Sequence, residues 1–422
     1  MISSWVEATF KALQHRDYRM LWIGTTVAFL AFMMSSVVQS LVAFDLTGKN
    51  GAVGLVAVGM GVSTILVSPF GGVIADRMSK RRLLLVGQSL IGINFATVGL
   101  LIVTDHITIG ALVASTFVMG TVFSFIGPAR QAWIGDLLPG DDLANGIALQ
   151  QVSMSGTRII GPFLASGLAG LAIVGTGGTY LFMGGLFAFV VFTLALLPRT
   201  QPRPHRQGVS LMGDMKLGVA HMVERPRLLL LSLSFIGMVM AGYSYFVVLP
   251  GLLENELNRD SGDIGWLLGI SAVSGLAVTV GLAGMASSRH AWKLMLGGGM
   301  VLGVSLALLS LAETFSQALG AMLLVGAGSS AFQMLNNALV MQESDQAYYG
   351  RVMSITMLAW GFNGLAGYPF GRLADASGER ATLLLMGTLV VSATLITAAF
   401  HAALSRRQPA GVVAVATVAG GK

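Results

Sequence analysis

A short polar cluster separates two long apolar stretches near the start of the chain. It reads Gly72-Val73-Ile74-Ala75-Asp76-Arg77-Met78-Ser79-Lys80-Arg81-Arg82. One carboxylate among four cations favours electrostatic chemistry, because a carboxylate at a helix end can face the positive end of another helix or pair with a cation. Asp136, after the fourth apolar stretch, is the predicted partner of Arg77. Such a pair would act as a latch if it forms in one conformation and breaks in another.

A second cluster lies inside the fifth apolar stretch and reads Gly156-Thr157-Arg158-Ile159-Ile160-Gly161-Pro162-Phe163. Arg158 is the one charge within a stretch, and a charge in a bilayer costs at least ~2.5 kcal/mol, so it should face other helices. It either attracts an anionic group of a substrate or ties helices together. Pro162 should kink the helix, and Gly156 and Gly161 should allow close packing. Ordinary packing of small residues is the alternative interpretation.

Polar and aromatic side chains in other apolar stretches are candidates for a binding cavity. The predicted lining residues are Phe32, Gln39, Tyr243, Tyr245, Gln333, Asn336 and Trp360. An aromatic cavity lined with amides suits a bulky amphipathic organic molecule better than a sugar or an inorganic ion. Each of the polar residues among them could equally form a hydrogen bond between helices.

The sequence carries none of the common motifs for catalysis or for binding metals. It lacks Gly-x-Ser-x-Gly, His-Glu-x-x-His and the phosphate-binding Gly-x-x-x-x-Gly-Lys-Ser/Thr, it has no cysteine, and its six histidines are scattered. We therefore predict no catalytic residues, no metal, no cofactor and no enzymatic activity.

Composition and apolar patterning indicate a membrane protein. Hydrophobic residues make up 54% of the chain, charged residues 10%, and the mean hydropathy is +0.77. Twelve stretches without Asp or Glu are long enough to cross a bilayer as helices. They are residues 20–44, 51–75, 83–104, 107–129, 143–174, 179–197, 228–253, 264–288, 294–312, 314–342, 352–371 and 381–405. The predicted fold is all-α, with twelve transmembrane helices.

The cations between these stretches predict the orientation. Of the 25 Lys and Arg residues, 20 fall in one set of loops and termini, four fall in the other set, and Arg158 lies within a stretch. Because cytoplasmic loops carry the excess of cations, both termini are predicted to be cytoplasmic. The predicted location of the protein is the inner (plasma) membrane. Anionic lipid at that face accounts for the net charge of +6, so nucleic-acid binding is not needed.

Internal repetition divides the chain into two halves. Arg19-Met20-Leu21 matches Arg227-Leu228-Leu229 at an offset of 208 residues, and Gly161-Pro162-Phe163 matches Tyr368-Pro369-Phe370 at an offset of 207. We predict two pseudo-symmetric halves of six helices. The predicted segments are an amphipathic cytoplasmic N-terminus (1–19), the halves (20–197 and 227–405), a cytoplasmic linker (198–226) with a surface helix over 211–223, and a cytoplasmic tail (406–422).

The cluster from Gly72 to Arg82 resembles the Gly-x-x-x-Asp-Arg-x-Gly-x-Arg-Arg signature of the major facilitator superfamily of secondary transporters, with Ser79 in place of a glycine. Pro128-Ala129-Arg130-Gln131-Ala132 is similar to a stretch in the branch that holds enterobactin-type siderophore exporters and macrolide or multidrug efflux pumps. Gly161-Pro162 is similar to the signature that drug–proton antiporters carry in the fifth helix.

This resemblance implies roles for particular residues. Gating or coupling is implied for Gly72, Asp76, Arg77, Arg81, Arg82, Arg130 and Asp136, and an antiporter-type helix for Gly156, Arg158, Gly161 and Pro162. It implies a transporter, functioning as a monomer, whose halves rock to export small amphipathic molecules in exchange for protons. Uptake of a small metabolite and flipping of lysophospholipid remain alternatives. The apolar stretches hold no carboxylate, so proton coupling rests on the resemblance or on a boundary acid such as Asp45.

Overall fold

The computed structural model describes residues 10–198, 211–345 and 348–407, without the side chains of residues 69–77 and a few others. The described residues are almost entirely helical and include no strand. This follows from the apolar stretches, because a backbone inside a bilayer must satisfy its own hydrogen bonds.

Six long helices build the N-terminal half. They are α1 (Arg16–Asp45), α2 (Asn50–Arg77), α3 (Lys80–Val103), α4 (Ile109–Leu137), α5 (Gly140–Ala169) and α6 (Gly175–Ala195). A 3-10 turn, Lys11–Gln14, precedes α1, which begins four residues before the predicted apolar stretch. Residues 1–9 of the predicted amphipathic N-terminus lie outside the described residues.

The linker and the C-terminal half contain seven further helices. The linker helix α7 (Leu211–Glu224) matches its predicted position. The others are α8 (Pro226–Gly242), α9 (Ile264–Leu282), α10 (Ala291–Ser310), α11 (Phe315–Glu343), α12 (Tyr349–Ser377) and α13 (Glu379–Arg407). The seventh apolar stretch is not one helix, because α8 continues as a 3-10 segment (Ser244–Val247), a short turn (Leu249–Gly251) and a π-helical segment (Leu252–Glu256). Residues 199–210 and 408–422 lie outside the described part of the chain.

Length and hydropathy allow ten segments of the described chain to cross a membrane, and α5 and α12, of 30 and 29 residues, are also long enough to cross. Large apolar side chains such as Ile93, Phe192 and Phe400 are exposed along these helices, as expected of surfaces that face lipid. The prediction of twelve transmembrane helices in two halves is confirmed.

The two halves pack in equivalent ways. Helix α2 lies on α4 and α3 on α6, while α9 lies on α11 and α10 on α13. The halves meet where α2 packs on α12 and where α5 packs on α9. We call the face where α1 begins and α13 ends the predicted cytoplasmic face, and the other the predicted external face.

Candidate functional site

The first contact between the halves is a helix cap at the predicted external face. The backbone amides of Asn50 and Gly51, which begin α2, donate hydrogen bonds to the two carboxylate oxygens of Asp375 at 2.8 and 3.0 Å. Asp375 belongs to the last turns of α12, in the other half. A carboxylate there satisfies amides that have no partner in their own helix and faces the positive end of the helix dipole.

The side chain of Asn50 extends this connection. Its Nδ2 donates to Glu379 Oε1 at 2.9 Å, and its Oδ1 accepts from the amide of Gly251 at 3.3 Å. Asn255 donates to the same Glu379 oxygen at 2.7 Å. Asn50 and Glu379 are buried, so the amide and carboxylate both depend on these partners. We call the contacts of Asn50, Gly251, Asp375 and Glu379, together with the neighbouring contact of α5 with α9, the external closure.

A second contact joins α5 to α9 at the same face. The amide of Gly265 donates to Ser166 Oγ at 2.9 Å, and the ring of Phe163 meets that of Trp266 edge-on at 5.1 Å. Ser261 Oγ also donates to Asp45 Oδ1 across the halves at 3.3 Å. Asp45, the boundary acid considered for proton coupling, therefore lies beside the external closure.

Glycines allow α2 and α12 to pack closely from the external face towards the middle of the membrane. A Cβ on Gly54 would lie 2.4 Å from the carbonyl oxygen of Gly367, and one on Gly61 2.6 Å from that of Gly361. Small residues at these positions let the two backbones approach closely. A Cβ on Gly361 would also lie 2.6 Å from Ile65 Cγ1, so the two halves are held together from the external face to at least the level of Ile65.

Arg158 lies just beyond the α5–α9 contact, towards the predicted cytoplasmic face. Pro162 and Ser166, one and two turns further along α5, both approach Gly265. Residues four apart share a helix face, so Arg158 projects from the face that is directed at the C-terminal half. Its side chain is exposed, and its guanidinium lies within electrostatic range of Tyr243 and Tyr245 of that half. Arg158 has no hydrogen bond or ion pair with any described residue.

The broken helix α8 forms the wall opposite Arg158. Tyr243 donates to the carbonyl of Ser329 at 2.8 Å, and its ring meets that of Trp360 edge-on at 5.4 Å. Asn363 Nδ2 donates to the carbonyl of Val239 at 2.8 Å and to Ser244 Oγ at 3.0 Å, which satisfies backbone and side chain at the break. Irregular backbone at membrane depth is tolerated where it lines a cavity or is buried in protein.

Two predicted lining residues lie further along α11. Gln333 and Asn336 follow Ser329 at helical spacing, so they share the face that contacts α8. Asn336 is fully buried, and neither its Oδ1 nor its Nδ2 has a partner among the described residues. The structure thus brings Tyr243, Trp360, Gln333 and Asn336 to one side of the molecule.

The N-terminal half supplies the other predicted lining residues. The Phe32 ring lies 4.5 Å from that of Phe123, and Gln39 is half-buried two turns further along α1. Arg130 is 3% exposed, and its guanidinium carbon lies 5.1 Å from the centre of the Phe29 ring. Its Nε and Nη2 find no acceptor among the described residues. Arg130 is therefore a buried cation that contacts an aromatic face.

The polar cluster that opened the sequence lies between α2 and α3 at the predicted cytoplasmic face. Gly72, Asp76 and Arg77 belong to the segment whose side chains are not described, so the predicted pairing of Arg77 with Asp136 stays a prediction. Asp136, in the last turn of α4, accepts a hydrogen bond from Lys80, a residue that the sequence analysis did not single out.

The two remaining cations of that cluster are Arg81, which is half-buried, and Arg82. Arg81 donates to the carbonyl oxygens of Leu194 and Ala195 at 3.3 and 2.6 Å, which caps the end of α6 within the same half. Arg82 is exposed.

The glycines of α5 differ in how closely they are packed. A Cβ on Gly161 would lie 2.5 Å from Met33 Cβ of α1, as the packing prediction requires. A Cβ on Gly156 would meet nothing within 4 Å, so the prediction of close packing is wrong at that position in this conformation. Helix α5 remains continuous through Pro162, although proline leaves the carbonyl of Arg158 without its usual amide partner.

Known proteins resemble this chain in sequence and in structure. Multidrug resistance protein MdtH of Cronobacter sakazakii is 23% identical over 305 residues, 72% of each chain. MdtH of Edwardsiella ictaluri is 23% identical over 321 residues, 75% of this chain and 76% of the relative. Among solved structures, nucleoside transporter NupG superposes with a TM-score of 0.74 at 12% identity over 92% of this chain and 99% of its own.

A POT family transporter in complex with 5-aminolevulinic acid gives a TM-score of 0.71 at 14% identity over 92% of this chain and 97% of its own. At such identities these structures show the fold alone. The model of one family, described as Major Facilitator Superfamily, matches residues 21–368. Twelve helices in two equivalent halves, together with this match over most of the sequence, show that the chain belongs to the Major Facilitator Superfamily.

Proposed function

We propose that this transporter exports small amphipathic organic molecules by alternating between a conformation accessible from the cytoplasm and one accessible from outside. The observation that carries the proposal is the position of the contacts between the halves. Hydrogen bonds across the halves join Asn50 to Asp375 and Ser166 to Gly265 at the predicted external face, while Arg158 is exposed beyond them. Cargo would therefore enter from the cytoplasmic side in this conformation.

Export rather than uptake is supported by the names of the relatives. They are multidrug resistance proteins, and the similarity extends over about three quarters of this chain. The aromatic pair of Tyr243 and Trp360, beside the amides of Gln333 and Asn336, supports an amphipathic organic cargo. The cytoplasmic orientation of both termini, a monomeric state and a location in the inner membrane are part of the same proposal.

Proton exchange is the proposed driving force. Carboxylates are absent from the apolar stretches, so the acids of the external closure, Asp45, Asp375 and Glu379, are the proposed sites of coupling. Loss of negative charge at this face would weaken the hydrogen bonds that join the halves, which would favour opening to the outside.

The test is transport into inside-out membrane vesicles, with and without an imposed pH gradient. A neutral macrolide, a catecholate siderophore and ethidium are the probes, and vesicles without the protein are the control. Export predicts accumulation of the macrolide or the siderophore that increases with the gradient and exceeds that of ethidium. If the protein instead raises uptake by whole cells of each tested compound, an importer replaces the proposal. If it moves lysophospholipid alone, a flippase replaces it.

A further inference from the structure

One cation, Arg158, lies near the middle of the membrane in the N-terminal half, and the side chain of a second, Arg130, reaches towards the same depth. Helices α1 and α5 run side by side in the same direction. Tyr18 donates to the carbonyl of Gly146 at a sequence separation of 128, and Trp22 to that of Leu149 at a separation of 127. The approach of Gly161 to Met33 continues this register. Arg158 is therefore level with residue 30, the middle of the 30-residue helix α1.

Arg130 belongs to α4, two turns from its predicted cytoplasmic end, and its guanidinium lies over the ring of Phe29, one residue from the level of Arg158. Neither cation has an acidic partner among the described residues, and the twelve apolar stretches hold no Asp or Glu. Uncompensated positive charge at the middle of a bilayer is costly, so a compensating anion must come from outside these stretches.

Only Arg158 is accessible to such an anion in this conformation. It is exposed and directed at the C-terminal half, whereas Arg130 is 3% exposed. Across from Arg158, the rings of Tyr243 and Trp360 form an apolar edge-to-face pair. A planar guanidinium beside aromatic rings matches a ligand that carries an acidic group on an apolar body.

We propose that Arg158 binds an acidic group of the cargo, so that the preferred substrates are amphipathic organic anions, with their apolar part against Tyr243 and Trp360. The inference rests on the proposed function only in taking the space between the halves to be the cargo route. Arg130 contributes as a second, buried positive charge that raises the potential at the same depth.

Binding of a matched pair of fluorescent probes tests this proposal. Dansyl-phenylalanine and dansyl-phenylalanine amide share their aromatic body and differ in the carboxylate. We expect the protein in nanodiscs of zwitterionic lipid to bind the acid about tenfold more tightly than the amide, as for a hydrogen bond between charged groups. Arg158→Gln should abolish that preference, and Arg158→Lys should keep part of it.

Arg289→Gln is the matched control, because it removes the same charge from an exposed loop between α9 and α10. It should leave the preference for the acid unchanged. Equal binding of acid and amide by the unaltered protein, no binding of either probe, or an unchanged preference in Arg158→Gln would each overturn the proposal. Since Arg158→Lys keeps the charge, its partial recovery separates loss of the anion site from misfolding.

Transport of the same probes by proteoliposomes separates this inference from the proposed function. Binding of the acid that depends on Arg158, without any export, would support the anion site and contradict export. Export of acid and amide at equal rates, unaffected by Arg158→Gln, would contradict the anion site and support export.

Discussion

Asp375 caps a helix of the opposite half. Its two carboxylate oxygens accept hydrogen bonds from the first amides of α2, Asn50 at 2.8 Å and Gly51 at 3.0 Å. The side chain that caps a helix normally comes from the residue next to that helix in sequence. Here it comes from α12, so the start of α2 depends on the position of α12. Separation of the two halves at the predicted external face would break both hydrogen bonds, and the amides and the carboxylate would then have to bind water instead.

Neutralising that cap should loosen the external closure. Asp375→Asn removes the charge that faces the dipole of α2, an interaction of about 0.3–1 kcal/mol. We expect a cysteine at Ser261, which is 5% exposed, to react about two- to fivefold faster with an impermeant maleimide added from outside. Asp263→Asn is the control, because Asp263 pairs with Arg259 within the same loop at 2.6 Å. Equal reactivity in both variants would show that Asp375 does not hold the closure.

A cross-link between the halves should stop transport. A Cβ on Gly367 would lie 3.6 Å from Cβ of Ala57, within the range of a disulfide. Because the chain has no cysteine, Ala57→Cys with Gly367→Cys can be tested without background thiols. We expect oxidation to block transport and a reductant to restore it, while each single variant is unaffected by oxidation. Transport that continues in the cross-linked protein would exclude separation of α2 from α12.

The Lys80–Asp136 pair should respond unequally to removal of its two members. The Lys80 side chain is 9% exposed and that of Asp136 is 30% exposed. Asp136→Asn leaves a buried cation without its carboxylate and should destabilise the protein by about 1–3 kcal/mol, less than for a fully buried pair. Lys80→Met should cost less, and the double variant should recover part of the loss. Thermal unfolding in detergent measures all three, and an equal loss in the two single variants would contradict the argument.

Two glycines of α5 should tolerate alanine differently. Gly161→Ala places a Cβ 2.5 Å from that of Met33, so we expect lower thermal stability and slower transport. Gly156→Ala meets no atom within 4 Å and should be neutral or slightly stabilising, because alanine favours the helix. If Gly156→Ala slows transport as much as Gly161→Ala, the glycine at 156 must be needed in the alternative conformation.

The orientation can be checked with reporter fusions. A reporter after Arg206 should behave as cytoplasmic and one after Asn258 as external, because the first site lies among the cations of the linker. An alkaline phosphatase fusion, active only outside the cytoplasm, and a fluorescent protein, active inside, give opposite signals. Reversed signals would invert the direction assigned to the closure.

The sequence by itself determined the helices and their number. Stretches of about 20 apolar residues must be helical in a bilayer, so the twelve crossings, the pseudo-repeat of halves and the linker helix α7 followed from local composition. The isolated charge of Arg158 was equally visible, because any charge within such a stretch stands out. Local composition could not predict the break after Gly242, although Gly242 and Pro250 flank it, since such residues also occur in unbroken helices.

Only the tertiary structure decided which residues meet. Asn50 and Asp375 are 325 residues apart, Ser166 and Gly265 are 99 apart, and no pattern in one sequence specifies which face of α2 lies on α12. The same holds for Lys80, whose pairing with Asp136 depends on how α3 packs against α4. Helix formation depends on neighbouring residues, whereas the choice of conformation depends on packing summed over both halves, and in this structure that packing closes the predicted external face and leaves Arg158 accessible.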